Sequence, residues 1–236
     1  RFPSTLILFT IKQRMTLLLF DIDGTLMLTG FAGVDAFEHS VKKMYKKSPG
    51  SIDFAGGLDS ENARAWISGI GENPSSKDLR IFKSYVEERM PTSLKKCQGS
   101  VLPGVFPLLE KLNELNICYG LLTGNWEKTG RMKLDFYGLN HFFRWGAWAD
   151  DGSTREELVP VALQKAKENG WKETQNIWVI GDTYRDVETA HANNAKCLAV
   201  MTGCHNDKIK QRLVQSKPDI LLENLSDTDG IIDLIS

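Results

Sequence analysis

Two aspartates spaced two apart, Asp21 and Asp23, come directly after the apolar run 16–20 (Thr-Leu-Leu-Leu-Phe). Asp182 and Asp186 follow a second such run, Asn176 to Ile180, and a third, Ile117 to Leu122, ends in Thr123-Gly124-Asn125. Short continuous apolar runs are the pattern of strands buried on both faces. In open parallel sheets, sites form outside the carboxyl ends of the strands. One polar set at a strand end can be an ordinary turn or helix cap; three such sets in one sheet point to a site. Three or four carboxylates converging without positive partners repel one another, and a hard divalent cation resolves this. Oxygen-only ligands favour Mg²⁺ over zinc.

A Mg²⁺ site with a spare carboxylate suits phosphoryl transfer, in which an aspartate can itself attack phosphorus. Asp21 is the expected nucleophile. Asp23, past the strand end, can protonate the leaving oxygen and later activate water. Gly24 lets the backbone turn closely around a phosphate, whose oxygens need N–H donors. Thr123 adds a hydroxyl donor, and the N–H groups of Gly124 and Asn125 open toward the same place. Arg155, expected at the start of the helix preceding the Asp182 strand, is the best fixed cation; Lys165 and Lys167 lie further down that helix, away from the strand edge.

Positioning these residues requires a sheet. From residue 100 onward, strands alternate with helices, the mark of a parallel sheet with helices on both faces. Pro103-Gly104 starts a helix with Val105, Leu108, Leu109, Leu112 and Leu115 on one side, and a helix from about Glu127 to Tyr137 leads to a short strand near 143–148. A helix beginning near Ser153 has Glu156 three residues on, the spacing of a capping box. Residues 196–200 and 219–222 read as the last two strands. The strand at 16–20 has no ladder partners unless it joins this sheet. Between residues 30 and 95 the pattern is helical throughout, with stripes over 31–45, 58–70 and 77–90. The expected fold class is therefore α/β: a Rossmann-like doubly wound parallel sheet, residues 15–28 and 99–236, with an inserted all-helical cap over 29–98. Residues 1–14 read as a poorly ordered extension.

Composition narrows the function classes. The 236 residues carry 42% hydrophobic and 25% charged side chains, a globular mixture, and 29 basic against 30 acidic residues give a net charge of −1. No basic face of the kind that binds nucleic acid is indicated, and the densest basic cluster, Lys42, Lys43, Lys46 and Lys47, reads as a solvated helix face. Lys12 and Arg14 interrupt the apolar N-terminal stretch short of a membrane span. Four scattered cysteines with no CxxC pair fit a reducing, cytoplasmic compartment better than a disulfide framework or a zinc site. The apolar stripes are all accounted for by packing, so none of them reports an oligomeric state.

The segments Asp-Ile-Asp-Gly-Thr-Leu (21–26), Leu-Leu-Thr-Gly-Asn (121–125) and Gly-Asp-Thr-Tyr-Arg-Asp (181–186) resemble motifs I, II and IV of the haloacid dehalogenase superfamily. Leu102-Pro-Gly-Val105, with Leu108, Leu109 and Leu112, resembles the segment before motif II in its phosphoglycolate-phosphatase-like branch. The likeness runs from about residue 16 to 225. It implies a Rossmann-like core, an inserted helical cap and hydrolysis through an aspartyl-phosphate. It further implies that Asp21 is nucleophile and metal ligand, that Asp23 is acid and base and touches the metal through its carbonyl, and that Thr123 and the backbone after it hold phosphate. Asp182 would bind Mg²⁺ and Asp186 support the metal's shell. The family usually places lysine at its third motif; Arg155 keeps the charge with a different, forked geometry.

Within that resemblance, an acid at Asp23 favours phosphate esters, because a departing halide needs no proton. The expected activity is a Mg²⁺-dependent phosphatase acting on a small phosphorylated metabolite, phosphoglycolate by default. A phosphomutase of the β-phosphoglucomutase type keeps both acids and is the second reading; a non-catalytic binding protein on the same fold is the third. The substrate would be read by the first cap helix after Leu28 and by the loop 56–60. There Asp59 and Asn62 could face the site, with solvated turn residues the plainer reading, and Trp126 either lines the entrance or packs.

Overall fold

The computed structural model describes residues 16–49, 56–172 and 176–235. The expected N-terminal extension, residues 1–14, lies outside them. β1 (Leu17–Phe20) is a central strand of a six-stranded sheet that also contains β4 (Cys118–Leu122), β5 (Gly146–Ala147), β6 (Ile177–Gly181), β7 (Lys196–Val200) and β8 (Ile220–Leu222). The order is β5-β4-β1-β6-β7-β8, and every pairing is parallel. The chain builds outward from β1 in one direction through β4 and β5, then crosses back to β6 and builds in the other. The carboxyl end of β1 is therefore the point where the winding reverses, the position at which such sheets bind ligands.

Side chains alternate across β1. Leu17 and Leu19 face one core, which includes α6 (Leu158–Glu168), α7 (Tyr184–Ala192) and Leu213 of α8 (Asp207–Gln215). Leu18 and Phe20 face the other, with α4 (Val105–Leu115) and α9 (Thr228–Ile235). All four strand residues are fully buried, which explains the unbroken apolar run.

Three helices are inserted between β2 (Met27–Leu28) and β3 (Ser100–Val101): α1 (Ala32–Tyr45), α2 (Asp59–Gly69) and α3 (Ser76–Lys96). β2 and β3 pair antiparallel, so the two connections into the helical cap form one ribbon, an element the apolar pattern of so short a pair does not reveal. Phe37 of α1 lies at the centre of the cap, edge-on to Trp66 and Phe82 and stacked on Trp126, the residue before α5 (Glu127–Phe136). Trp126 thus packs, joining cap to core. Lys42, Lys43 and Lys47 are paired with Glu38, Glu88 and Glu72 in exposed contacts, the solvated face expected of them.

Two helix limits differ from expectation. α3 runs on through Pro91 to Lys96 instead of stopping near Met90, because its last turns are tied to α1: Asp35 accepts hydrogen bonds from Arg89 (3.0 and 3.1 Å), Ser93 (2.7 Å) and Lys96. No capping box forms between Ser153 and Glu156. α6 starts only at Leu158, and the Ser153 N–H donates to Glu157 instead (2.7 Å). The non-helical turns before Leu158 allow Arg155 to fold inward. Among the described residues no helix is long and apolar enough to cross a membrane.

The Asp35 network gives a test of the cap. Partial burial alone would raise this carboxyl's pKa, but Lys96, Ser93 and Arg89 outweigh it and hold it well below the usual range. A depressed carboxylate stabilises the fold above its unfolded pKa of about 4, and this stability is lost as pH falls below that. Asp35→Ala should cost about 1–2 kcal/mol at pH 7 in urea unfolding, and the deficit should shrink toward pH 3.

Candidate active site

The sheet order alone brings the three polar sets together. β4 and β6 flank β1 on either side, strands lie about 4.8 Å apart, and Phe20 is level with both Leu121 and Ile180. Asp21 therefore leaves β1 between Thr123 and Asp182. One carboxylate oxygen from each of Asp21, Asp182 and Asp186 lies within 4.8 Å of the others, and all three residues are buried.

Glycines make this convergence sterically possible. A Cβ at Gly24, which has φ +81°, would overlap the Asp182 carboxylate, and so would one at Gly203. One at Gly181 would overlap Asp186. Gly24's own N–H donates to Met27 O at 2.8 Å, so the residue serves the site through its shape and close approach. Asp182 accepts from Thr25 (3.2 Å). Asp186 caps α7: its Oδ2 accepts from the Thr183 hydroxyl (2.7 Å) and N–H (3.0 Å), which turns Oδ1 toward the site.

Arg155 meets that oxygen. Its Nη2 contacts Asp186 Oδ1 and lies 3.3 Å from Asp21 Oδ2, while Nη1 donates to Gly56 O of the cap loop at 3.2 Å. The residue is buried, and its Nε has no hydrogen-bond partner among the described residues. Arg155 sits in the turn ahead of α6, not in the helix's first turn as expected. The reason is electrostatic: a guanidinium is buried only where carboxylates pair with it. Lys165, on α6 itself, reaches Gly146 O and Asp151 instead.

One arginine does not neutralise three carboxylates. Burial raises the Asp21 carboxyl to about 6, with Asp186 adding to the effect and Arg155, Thr123 and the Ile22 N–H opposing it. Burial, then the charges of Asp186 and Asp21, push Asp182 well above the carboxylate range. These are buried oxygens short of positive charge, held without side chains on the opposing glycines. A hard divalent cation fits such a donor set, and it would restore the ionised forms.

Asp23 has a different environment. Its side chain is 40% exposed against 7% for Asp21, so of the two acids it is the one that can reach water and a departing group. Its Oδ2 accepts from Lys133 Nζ at 2.6 Å and Asn125 Nδ2 at 2.9 Å. Asn125 Nδ2 also donates to the Thr123 hydroxyl (2.9 Å), so the motif around residues 123–125 is joined to Asp23 through a side chain. Lys133, buried on α5, was not apparent from the sequence. It sits in the middle of an amphipathic helix at a position where lysine usually marks the solvent face. The available signal was its place among the inward residues Thr129, Gly130 and Leu134.

The cap is closed on this edge. Asp59 N–H donates to Gly124 O (2.7 Å), and its carboxylate accepts from the Trp126 N–H (2.9 Å). Burial raises that carboxyl to about 7 against the pull of Lys133. Asn62 is buried, and its Oδ1 lies over Gly57. Asp59 is therefore part of the cap–core seam and Asn62 packs on the cap loop; neither is a solvated turn position. A Cβ at Gly124 would overlap Gly57 O, so the cap loop rests on the backbone after Thr123.

Comparison with known proteins agrees with this geometry. The family model "Haloacid dehalogenase-like hydrolase" matches residues 18–200. The chain is 24% identical over 222 residues to Phosphoglycolate phosphatase 1 of Pseudomonas aeruginosa, covering 89% of this chain and 77% of that one. It is also 24% identical over 225 residues to the pyrophosphatase PpaX of Oceanobacillus iheyensis, covering 91% and 95%. Among solved structures, a hydrolase from Pseudomonas syringae superposes with a TM-score of 0.74 at 18% identity, over 94% of this chain and 99% of that one. With three acidic and hydroxyl sets at adjacent strand ends beneath an inserted helical cap, and a family match spanning most of its length, the chain belongs to the haloacid dehalogenase-like hydrolases.

Proposed function

We propose that this chain is a Mg²⁺-dependent phosphatase that hydrolyses a small phosphorylated metabolite through a phosphorylated Asp21. The observation that carries the reading is the unequal pair of acids: Asp21 buried beside Asp182, Asp186 and Arg155, and Asp23 exposed two residues on. Environments that separate two carboxyls in this way divide nucleophile from acid/base.

In the first step an Asp21 oxygen forms a bond to phosphorus, the phosphorus–ester oxygen bond breaks, and Asp23 gives its proton to the departing oxygen. In the second step Asp23 takes a proton from water, the water oxygen bonds to phosphorus, and the Asp21–phosphorus bond breaks, returning the carboxylate and releasing phosphate. Asp21, Asp182, Asp186 and the Asp23 carbonyl would hold Mg²⁺, which supplies charge stabilisation to the transferring phosphoryl group. Arg155 contributes fixed positive charge beside Asp21, and its unpartnered Nε is a donor suited to an anionic oxygen. Thr123 and the N–H groups of Gly124 and Asn125 are the remaining phosphate contacts, with Gly24 leaving room for the close approach.

A small substrate is supported by the cap loop lying directly on Gly124. The two relatives named above point to the same class, since phosphoglycolate and pyrophosphate are both compact and carry a second anionic group. Phosphoglycolate is the first compound to test.

The test is phosphate release from phosphoglycolate, pyrophosphate, hexose phosphates and p-nitrophenyl phosphate, with and without Mg²⁺. Release should require Mg²⁺, and Asp21→Asn should reduce it by more than about a thousand-fold, because an amide cannot attack phosphorus. Interconversion of hexose 1- and 6-phosphates without phosphate release would favour a mutase instead, and inertness toward every ester would favour a binding protein.

Two substitutions separate the supporting roles. Arg155→Ala should lower kcat/KM by about a hundred-fold, and Arg155→Lys should recover only part of it, since a point charge cannot reproduce the fork. Asp182→Ala should raise the Mg²⁺ concentration for half-maximal rate by at least about ten-fold, with partial recovery at high Mg²⁺; an unchanged metal requirement would remove Asp182 from the metal site.

A further inference from the structure

We propose that Lys133 is a positioning residue that acts through Asp23, fixing this carboxyl group where it can pass a proton to and from the substrate's ester oxygen. The inference rests on the phosphatase reading above, and it assigns a role to a side chain outside the three sequence motifs.

Lys133 lies on α5, eight residues beyond Asn125, and its side chain is only 6% exposed. Burying an ammonium is costly, and lysine is almost never found so deep without a partner that needs it. A methionine would fill the same space without that cost. The ammonium donates to Asp23 Oδ2 and to Asn125 Oδ1, both at 2.6 Å. Because an ammonium can only donate, Asn125 must turn its carbonyl oxygen toward Lys133, and this sends its amide nitrogen to Asp23 and the Thr123 hydroxyl. The three side chains close a triangle in which Lys133 orients Asn125 and both grip the same oxygen of Asp23.

The other oxygen of Asp23 is held only loosely, by a Thr29 hydroxyl at 3.5 Å. One oxygen is therefore anchored by two donors and the second is left for chemistry. Without the anchor, a side chain that is 40% exposed and stands on a turn has several rotamers open to it. The hydrogen bonds of Lys133 go to Asp23 and Asn125 and none to Asp21, Asp182 or Asp186, which makes it a positioning group and not one that touches the reacting atoms. The cap completes the arrangement: Gly33, in the first turn of α1, lies over the ammonium, and a Cβ there would stand 3.7 Å from Nζ.

The experiment compares Lys133→Met with the wild-type chain, in Mg²⁺, on an alkyl phosphate from the panel above and on p-nitrophenyl phosphate. An alkoxide must be protonated as it leaves, whereas nitrophenolate departs without help. A misplaced Asp23 should therefore lower kcat on the alkyl ester by about 30- to 100-fold, with KM changed less than about three-fold. The loss on the nitrophenyl ester should be at least about ten-fold smaller. In an Asp23→Asn background, adding Lys133→Met should cost less than about three-fold more on the alkyl ester, because the two act as a unit. Lys133→Arg, which keeps a donor, should recover part of the alkyl activity.

Equal losses on the two esters, full additivity with Asp23→Asn, or wild-type kinetics in Lys133→Met would each overturn the proposal. Should Lys133→Met lose its cooperative unfolding transition, Lys133→Gln and Lys133→Arg carry the same comparison. Wild-type turnover with an indifferent Lys133 variant sinks this inference alone, whereas a wild-type chain inert toward all esters sinks the phosphatase reading and this inference with it.

Discussion

Three buried carboxylates within 4.8 Å of one another set the terms for the rest of this molecule. At an effective dielectric constant near 20, two unit charges about 4 Å apart repel by about 4 kcal/mol. Three such pairs would rival the whole folding free energy of a typical domain, about 5–15 kcal/mol. The site can exist only if positive charge is brought to it, and burial together with the neighbouring carboxylates raises the Asp21 and Asp182 carboxyls above the ordinary carboxylate range. Arg155 supplies part of the charge, which is why the turns before α6 give up helical geometry to bury a guanidinium. The remainder is the space a divalent cation suits.

The constraint passes outward through the backbone. Gly24, Gly181 and Gly203 each stand where a Cβ would overlap one of these carboxylates, so the chain closes around the site only with hydrogen at those positions. Arg155 extends the same network to the cap by donating to Gly56 O, and Asp59 extends it again through Gly124 and Trp126. Exposed ion pairs such as Lys128–Glu87 and Arg185–Glu61 also bridge cap and core, but pairs of that kind contribute little. The seam is held by the buried stack of Phe37 on Trp126 and by the backbone groups of Gly124 and Trp126 that Asp59 engages. A closure built this way is sensed at the site itself.

The sheet was legible because its signals are local. Leu17 to Phe20 and Ile177 to Ile180 read as unbroken apolar runs since both faces are covered, and the acids at their ends mark the edge that matters. Arg155 could be named as the cation, but its burial against Asp186 and Asp21 could not, because that depends on how far a turn folds inward. The failed capping box at Ser153 has the same origin: a local preference worth about 1 kcal/mol gave way to a buried ion pair. The run of α3 past Pro91 likewise depends on Asp35, more than fifty residues earlier in the chain. Lys133 was hidden for a related reason, and Asp59, named as a residue that could face the site, read more plainly as a solvated turn. Their types suggest solvent, and only the closed cap turns them inward.

The two acids of the first motif show how one short segment can carry opposite requirements. A nucleophile should be dry, immobile and close to positive charge; a proton carrier must meet both the substrate and water. Asp21 meets the first description because it leaves a central strand between two neighbours, beside the Arg155 guanidinium. Asp23 cannot be placed by the sheet, for it stands beyond the strand on the turn that Gly24 makes toward Met27. Its geometry has to come from side chains, and those side chains come from the strand end after β4 and from the helix behind it. In the proposed reaction the same residues, Thr123 to Asn125, would face the phosphate on one side, while Asn125 holds Asp23 on the other. A change in this segment would then alter phosphate contact and proton delivery together, and the lysine buried behind it lies against Gly33 of the cap's first helix.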